Sequence, residues 1–245
     1  MTLLEIALDD VAGAGIAERA GAARIELCAG LSDGGTTPSI GLVRQASAQL
    51  FSTTMMVLIR PRAGDFVYTA DEVRVMRADI EAIRAAAPAA GFVIGALEPS
   101  GEVDLATISV LLADCEGAPV TFNKAFDSTP DIARSLDILI GLGVDRVLTS
   151  GGRRTALDGA AEIRGLIEQA AGRITMVAGG SVRADTVCEL VANTGVTEVH
   201  LRAAIPRISK ILWSNPEQDY GNAVVSATDD ATVRDVLRAL TAAGS

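Results

Sequence analysis

A carboxylate and a thiol stand two residues apart near the start of the chain. Glu26 and Cys28 close the apolar segment RIELC, and the loop AGLSDGGTTPS, which begins at Ala29, follows at once. A carboxylate can accept or donate a proton, and a thiolate can act as a nucleophile or bind a soft metal ion. The chemistry open to this pair depends on the groups that the fold brings beside it.

Four more ionisable side chains lie at the ends of other short apolar runs or soon after them. They are Arg60, Asp65, Asp127 and His200, the only histidine of the chain. Histidine transfers protons near neutral pH, and arginine holds carboxylates and phosphates through paired hydrogen bonds. With Glu26, these candidate catalytic residues suit proton transfer, isomerisation or carbon–carbon cleavage on a small anionic substrate. No G-x-G-x-x-G fingerprint follows a predicted strand, so dinucleotide-dependent redox chemistry is not indicated.

The segment IRPRAGDFVYT has two interpretations. Arg60, Arg62 and Asp65 lie within six residues of one another, and on one rim they could orient a carboxylate or phosphate. Alternatively, an Arg–Asp pair holds the loop in place. Lys124 follows the fifth predicted strand and could form a Schiff base. Strand alternation places it opposite Asn123, so we expect an exposed lysine.

Glycine-rich loops follow three predicted strands: LSDGGTTPS, TSGGRRT and AGGSVR. Backbone N–H groups at a helix N-terminus attract anions, and barrels of alternating strands and helices often bind phosphate after their last two strands. The predicted anion site uses Gly179, Gly180 and Ser181, with Arg202 from the eighth strand. The alternative is a tight turn in which Ser181 only caps the next helix.

Short β-like runs alternate with alanine-rich helical segments every 25–30 residues or so. The predicted strands are 3–8, 24–28, 54–60, 92–97, 120–123, 146–150, 174–178 and 198–201. The predicted helices are 10–20, 40–50, 70–87, 104–114, 131–141, 156–171, 182–192 and 229–242, the last after a longer irregular stretch. Eight such units predict a single α/β domain over residues 1–245, an eight-stranded parallel (βα)8 TIM barrel. A doubly wound open sheet is the second choice.

Alternation along the strands predicts which side chains enter the barrel. Apolar residues such as Ile25, Leu27 and Val199 must face the helices, because charges there would be buried without water. The polar residues of the opposite parity then point inward or toward the strand ends. They are Glu5, Glu26, Cys28, Arg60, Asn123 and His200.

Composition narrows the class of protein. The chain has 245 residues, 49% of them hydrophobic and 21% charged, with a net charge of −10. That charge argues against nucleic-acid or anionic-membrane partners, and no run of 18 apolar residues predicts a membrane span. Three widely spaced cysteines fit a reducing cytoplasm, and we expect Cys115 and Cys188 to be small buried side chains.

Six segments follow one another along the chain up to about residue 202: RIELCAGLSDGGTTPS, IRPRAGDFVYT, VTFNKAFD, RVLTSGG, AGGSV and EVH. In content and order they resemble the CutC family, whose name comes from copper homeostasis. The resemblance implies a single eight-stranded barrel, a cytoplasmic location and a role in copper handling.

Copper in a reducing compartment is Cu(I), which prefers thiolate, thioether and imidazole ligands. The candidate metal ligand is Cys28, whereas Ala7 stands where many relatives carry a second cysteine, and Asn123 replaces the family's histidine. Met56 points inward but lies early on its strand, which makes it a poor partner. We therefore expect weak Cu(I) binding by a single chain. We expect a homo-oligomer implicated in copper homeostasis, or alternatively a barrel enzyme of lyase or isomerase type with a small anionic ligand.

Overall fold

Eight parallel strands close into a barrel in the computed structural model, which describes residues 2–207, 225–243 and, between them, 210, 211, 213, 215 and 217. Each strand pairs with the next in sequence, and β1 pairs with β8 to complete the ring. This closure excludes the open sheet and confirms the predicted (βα)8 TIM barrel.

The strands and helices have the following bounds. The strands are β1 Leu3–Leu8, β2 Arg24–Leu27, β3 Thr54–Leu58, β4 Gly91–Ile94, β5 Val120–Phe122, β6 Arg146–Thr149, β7 Thr175–Gly179 and β8 Glu198–Leu201. The helices are α1 Val11–Ala20, α2 Ile40–Ser47, α3 Ala70–Ala86, α4 Leu105–Asp114, α5 Ile132–Leu142, α6 Ala160–Ala170, α7 Val187–Thr194 and α8 Asp230–Ala243. Every predicted element is present.

Local chemistry explains several boundaries. Thr69 and Glu72 form a reciprocal capping box that starts α3, and Gly143 takes a left-handed conformation with φ 77° that ends α5. Helix α7 begins five residues later than predicted. Ser181 has a φ of 55°, in the left-handed region, so the chain cannot enter a right-handed helix there.

A two-stranded antiparallel ladder lies between β8 and α8. Its strands are β9 Ala204–Arg207 and β10 Val225–Thr228. The sequence predicts only an irregular stretch here, because the two strands are short and lie far apart in the sequence. Within the described chain, no helix has the length and apolar character to cross a bilayer.

The barrel has an outer and an inner core. Ile25, Val57 and Val199 are fully buried in the large apolar cluster between strands and helices, as alternation predicted. The inner cluster is small and consists of Cys28, Met56, Leu58 and Val93, with Leu31 packed against it. Most of the remaining interior is occupied by charged and polar side chains, which make up the candidate site.

Candidate functional site

A connected series of buried ionisable groups runs through the barrel interior. Nε of Arg24 donates to Oε2 of Glu5 over 2.6 Å, and the Arg24 guanidinium also donates to Glu198. Nε of Arg146 lies 3.4 Å from the same Glu198 oxygen. The side chains of Arg24 and Glu5 are only 6% and 2% exposed. Buried charges at such sites require partners, and here each neighbour has the opposite sign.

Strand register brings His200 into this series. The β1–β8 pairing aligns Glu5 with His200, and the β1–β2 pairing aligns Glu5 with Arg24. Nδ1 of His200 lies 2.7 Å from Oε1 of Glu5, and Nε2 lies 3.5 Å from Oε2 of Glu26. The His200 side chain is therefore held between two carboxylates.

The two carboxylates next to His200 have pKa values shifted in opposite directions. Burial alone would raise the pKa of Glu5, but the hydrogen bond and charge of His200, together with Arg24, lower it to about 2. Burial raises the pKa of Glu26 to about 7, and the charge of Glu5 adds to this effect while His200 opposes it. Burial disfavours the imidazolium form of His200, but the Glu5 hydrogen bond and the negative charges of Glu26 and Glu5 outweigh burial and raise the His200 pKa.

Glu26, Cys28 and His200 line a pocket of about 190 Å³ at the carboxyl ends of the strands. Leu31 and Gly34, from the loop after β2, also line it, which confirms that Glu26 and Cys28 face the barrel mouth under this loop. Ligands bind at this end of (βα)8 barrels. A larger cavity of about 540 Å³ lies on the outer surface between α3 and α4, away from the barrel interior.

Three cationic side chains line the wall of the pocket: Arg60, Lys124 and Arg202. Arg60 is 6% exposed and lies over the Phe66 ring, 5.0 Å from its centroid. Its terminal nitrogens donate to the carbonyl oxygens of Gly35 at 2.8 Å and Gly64 at 2.6 Å. Arg60 thus connects the loops after β2 and β3 and adds positive charge to the pocket wall. Because both terminal nitrogens donate to backbone carbonyls, they are not available for a bidentate contact with an anion.

Asp65, which the sequence analysis placed with the catalytic candidates, is not among the residues that line this pocket. Its Oδ1 accepts from Arg62 at 3.0 Å, and Arg62 also donates to Glu72 over 2.6 Å. The Asp65 side chain is 70% exposed. The structure therefore agrees with the alternative interpretation, in which an Arg–Asp pair holds the loop.

Asp127 lies beside the pocket, and its carboxylate is fully committed to hydrogen bonds. It accepts from Thr149 Oγ1 at 2.5 Å, from the backbone N–H groups of Ser150 and Gly152 at 2.9 and 3.0 Å, and from Lys124 Nζ at 2.8 Å. Burial would raise the pKa of Asp127, but Lys124 and these donors lower it. The side chain therefore occupies the glycine-rich loop after β6 as an internal anion.

Lys124 differs from its predicted position. The expectation of an exposed lysine holds only in part, since its side chain is 44% exposed yet lines the pocket. Nζ donates to Asp127 and, over 2.8 Å, to Ser150 Oγ. A short 3₁₀ turn, residues 124–128, follows β5 and directs the side chain toward the mouth, which strand alternation cannot predict.

The loop after β7 does not form the predicted helix-terminal anion site. Helix α7 begins at Val187, so its first N–H groups lie beyond Gly179, Gly180 and Ser181, and Ser181 does not cap it. Gly179 instead gives close packing, because a Cβ there would lie 3.3 Å from the Cβ of His200. Arg202 does line the pocket and also borders a neighbouring cavity next to Asp9 and Arg207.

Cys28 is 1% exposed and packs in the inner cluster with Met56, which the sequence analysis considered a poor partner. Burial, reinforced by the charge of Glu26, raises the pKa of the Cys28 thiol well above its usual value. Cys115 is also buried, and Cys188 is partly buried. In the described part of one chain, the pocket contains a single thiol that resists ionisation, which is a poor donor set for copper.

Oxygen or nitrogen atoms of Glu5, Glu26 and His200 lie within 4.8 Å of one another, close enough to share a cation. Both Glu5 oxygens are already hydrogen-bonded, to His200 and Arg24, and the Arg24 guanidinium would repel a metal ion. These hydrogen bonds and the nearby positive charge disfavour a metal ion at this position. Glu5 was predicted to point inward but was not among the catalytic candidates; its alignment with both His200 and Arg24 appears only in the closed barrel.

A TIM barrel with an ionisable pocket at the carboxyl ends of its strands defines the class of protein. Within that class, the CutC family model matches residues 2–205, and the chain belongs to this family. A CutC family protein of Agrobacterium fabrum is 42% identical over 247 residues, covering 98% of this chain and 94% of the relative. The human copper homeostasis protein cutC homolog is 41% identical, covering 98% and 87%.

Solved structures agree with this assignment. A crystal structure of a CutC protein from Streptococcus agalactiae has a TM-score of 0.78 and 33% identity, covering 82% of this chain and 98% of that one. An aldolase, QR15, has a TM-score of 0.60 at 17% identity, covering 80% and 88%. The second similarity concerns the fold alone, which does not determine a reaction.

Proposed function

We propose that this CutC family member is an enzyme that performs acid–base chemistry on a small anionic substrate. The observation that carries the proposal is the Glu26–His200 pair, 3.5 Å apart on the pocket wall. The pKa of Glu26 is raised to about 7 and that of His200 is also raised. Groups that titrate close to the working pH are efficient proton carriers, and such perturbed groups cluster at catalytic sites.

The charge of the pocket wall indicates the substrate class. Arg60, Lys124 and Arg202 surround the pair in a protein whose net charge is −10. Local positive charge favours an anionic ligand and would stabilise negative charge that develops on a carbonyl oxygen when a neighbouring carbon loses a proton. Glu26 takes that proton in the proposed reaction, and His200 returns one. This is the chemistry of isomerases and of carbon–carbon lyases.

Solvent deuterium exchange tests the proposal without knowledge of the physiological substrate. A panel of small α-hydroxy and α-keto carboxylates and sugar phosphates is incubated with the protein in D₂O and followed by ¹H NMR. The wild type is expected to exchange carbon-bound protons of at least one compound. Glu26→Gln should reduce this rate at least about 100-fold, the lower range for acid–base catalysis, whereas Asp65→Asn, outside the pocket, should leave it unchanged. Absence of exchange across the panel, or full activity in Glu26→Gln, would contradict the proposal.

Copper handling is the second candidate, suggested by the names of the relatives. The observation in its favour is that the Cys28 thiol and the Met56 thioether share the inner cluster. Because burial raises the pKa of Cys28, we expect weak Cu(I) binding by a single chain. Anaerobic competition against a Cu(I) chelator measures it, with Cys28→Ser as the variant and Cys115→Ser as the buried-thiol control. Tight one-to-one binding that survives Cys28→Ser would exclude this site.

A further inference from the structure

We propose that Glu5 is a positioning residue that determines which nitrogen of His200 exchanges protons with the substrate. Glu5 holds the Nδ1–H group, and Nε2 is left to face Glu26 and the pocket. The catalytic role of Glu5 rests on the proposed acid–base function, whereas the tautomer of His200 does not depend on it. Its main test needs no substrate, so the two can fail separately.

The direction of the hydrogen bond follows from the partners of Glu5. Oε2 accepts from Nε of Arg24 at 2.6 Å, and Oε1 lies 2.7 Å from Nδ1 of His200. A carboxylate paired with a buried guanidinium is ionised and can only accept hydrogen bonds. Nδ1 must therefore carry the proton in both the neutral and the charged ring, and Nε2 becomes the atom that gains or loses one.

Glu5 is held rigidly enough to impose this orientation. Its side chain is 2% exposed, and Arg24 is itself fixed by its second ion pair, to Glu198. Strand β1 aligns Glu5 with both partners through backbone pairing, and a change of rotamer would break the buried hydrogen bonds of Glu5 to Arg24 and His200 together. Carboxylates that accept from one histidine nitrogen commonly define the tautomer in this way.

Glu26 is the other carboxylate that could orient the ring, and the distances favour Glu5. The Glu26 oxygen lies 3.5 Å from Nε2, which is the outer limit of a hydrogen bond, against 2.7 Å for the Glu5 contact. Glu26 also lines the pocket, where a substrate would compete for it. Glu5 is not among the pocket-lining residues, so its hold on His200 persists when a ligand binds.

The single histidine makes the inference directly measurable, because long-range ¹H–¹⁵N correlation spectra of labelled protein contain one imidazole. In the wild type, the ¹⁵N shift of Nδ1 is expected to remain that of a protonated nitrogen throughout a pH titration, while that of Nε2 moves. In Glu5→Gln, the amide oxygen is drawn to Arg24 and its NH₂ group faces Nδ1. We therefore expect the neutral ring to change to the Nε2–H tautomer.

Glu198→Gln is the matched control. It removes one negative charge from the same buried series and contacts Arg24 but not His200, so the wild-type tautomer is expected to persist. Where the panel shows wild-type deuterium exchange, Glu5→Gln should lower it about 100-fold or more.

Several results would overturn the inference. In the wild type, these are an Nε2–H tautomer, or an imidazole ring that releases no proton at any pH at which the protein is folded. In the variants, they are an unchanged tautomer in folded Glu5→Gln, or a change to the Nε2–H tautomer in Glu198→Gln. If Glu5→Gln does not fold, the wild-type spectrum alone decides, since an Nδ1 that loses its proton excludes the proposed role.

Discussion

Glu5 and His200 meet across the pair of strands that closes the barrel, with Oε1 and Nδ1 2.7 Å apart and 195 positions apart in sequence. The first and last strands of the barrel thus each supply one member of this contact. Because β1 and β8 pair only when the barrel is closed, the candidate site can form only in the complete barrel. Stability of the closed fold and integrity of the site are therefore coupled, and the predictions below test both.

Arg24 is expected to be the most costly charge to remove. Arg24→Met would remove the guanidinium that contacts both Glu5 and Glu198, and breaking a buried pair in this way costs about 3–5 kcal/mol. Arg74→Met, which removes an exposed pair with Asp71, should cost less than about 1 kcal/mol. Urea unfolding at pH 7 measures both changes. Equal losses for the two variants would show that the interior charges do not depend on Arg24.

Stability is expected to fall as the pH rises from about 5 to above 7. The pKa of Glu26 is about 7 in the folded protein against an ordinary 4.5, so the folded state binds this proton more tightly than the unfolded chain. The free energy of unfolding therefore decreases through this window, by on the order of 3 kcal/mol for a shift of this size. The raised pKa of His200 acts in the same direction, because its contribution is lost as pH rises through the folded-state value.

The matched variant for this pH effect is Glu26→Gln, which cannot ionise. Chemical denaturation of both proteins at pH 5 and pH 8 should show a clearly smaller decline for the variant. A wild type that is more stable at pH 8 than at pH 5 would contradict the raised pKa of Glu26.

Arg60→Ala is expected to destabilise the protein as well as change its pocket. The substitution removes a donor from the buried carbonyl group of Gly35 and another from that of the exposed Gly64, and the unsatisfied buried acceptor at Gly35 costs about 1–3 kcal/mol. The control is Arg183→Ala, an exposed residue paired with Asp185, with an expected change within about 0.5 kcal/mol. Thermal and urea unfolding measure the effect. Unchanged stability in Arg60→Ala would show that the hydrogen bonds of Arg60 to the two loops do not stabilise the fold.

The three thiols are expected to react in a defined order in the native protein. Cys188 is partly buried, whereas Cys28 and Cys115 are 1% exposed with raised pKa values. Iodoacetamide at pH 8 followed by peptide mass spectrometry should label Cys188 first, because the thiolate is the reactive form. In urea all three should react alike. Preferential labelling of Cys28 would mean that its thiol is activated rather than suppressed.

The amino-acid sequence by itself determined the barrel and the side of each strand that faces inward. In RIELC and EVHL, apolar and polar residues alternate with the two-residue period of a strand, and only one face can be buried against the helices. The inward direction of Glu5, Glu26, Cys28 and His200 follows from that alternation alone. The matching order of six family segments added the family, which the comparisons confirmed.

Only the tertiary structure decided which of these groups act on one another. Asp65 and Asp127 both follow strands, yet one pairs with Arg62 at the surface and the other is enclosed by the loop after β6. Glu5 and Glu26 both face inward, yet contacts with His200 and Arg24 lower the pKa of Glu5 while burial raises the pKa of Glu26. A charge state depends on burial and on partners a few ångströms away, and strand register and loop conformation bring those partners from distant parts of the chain.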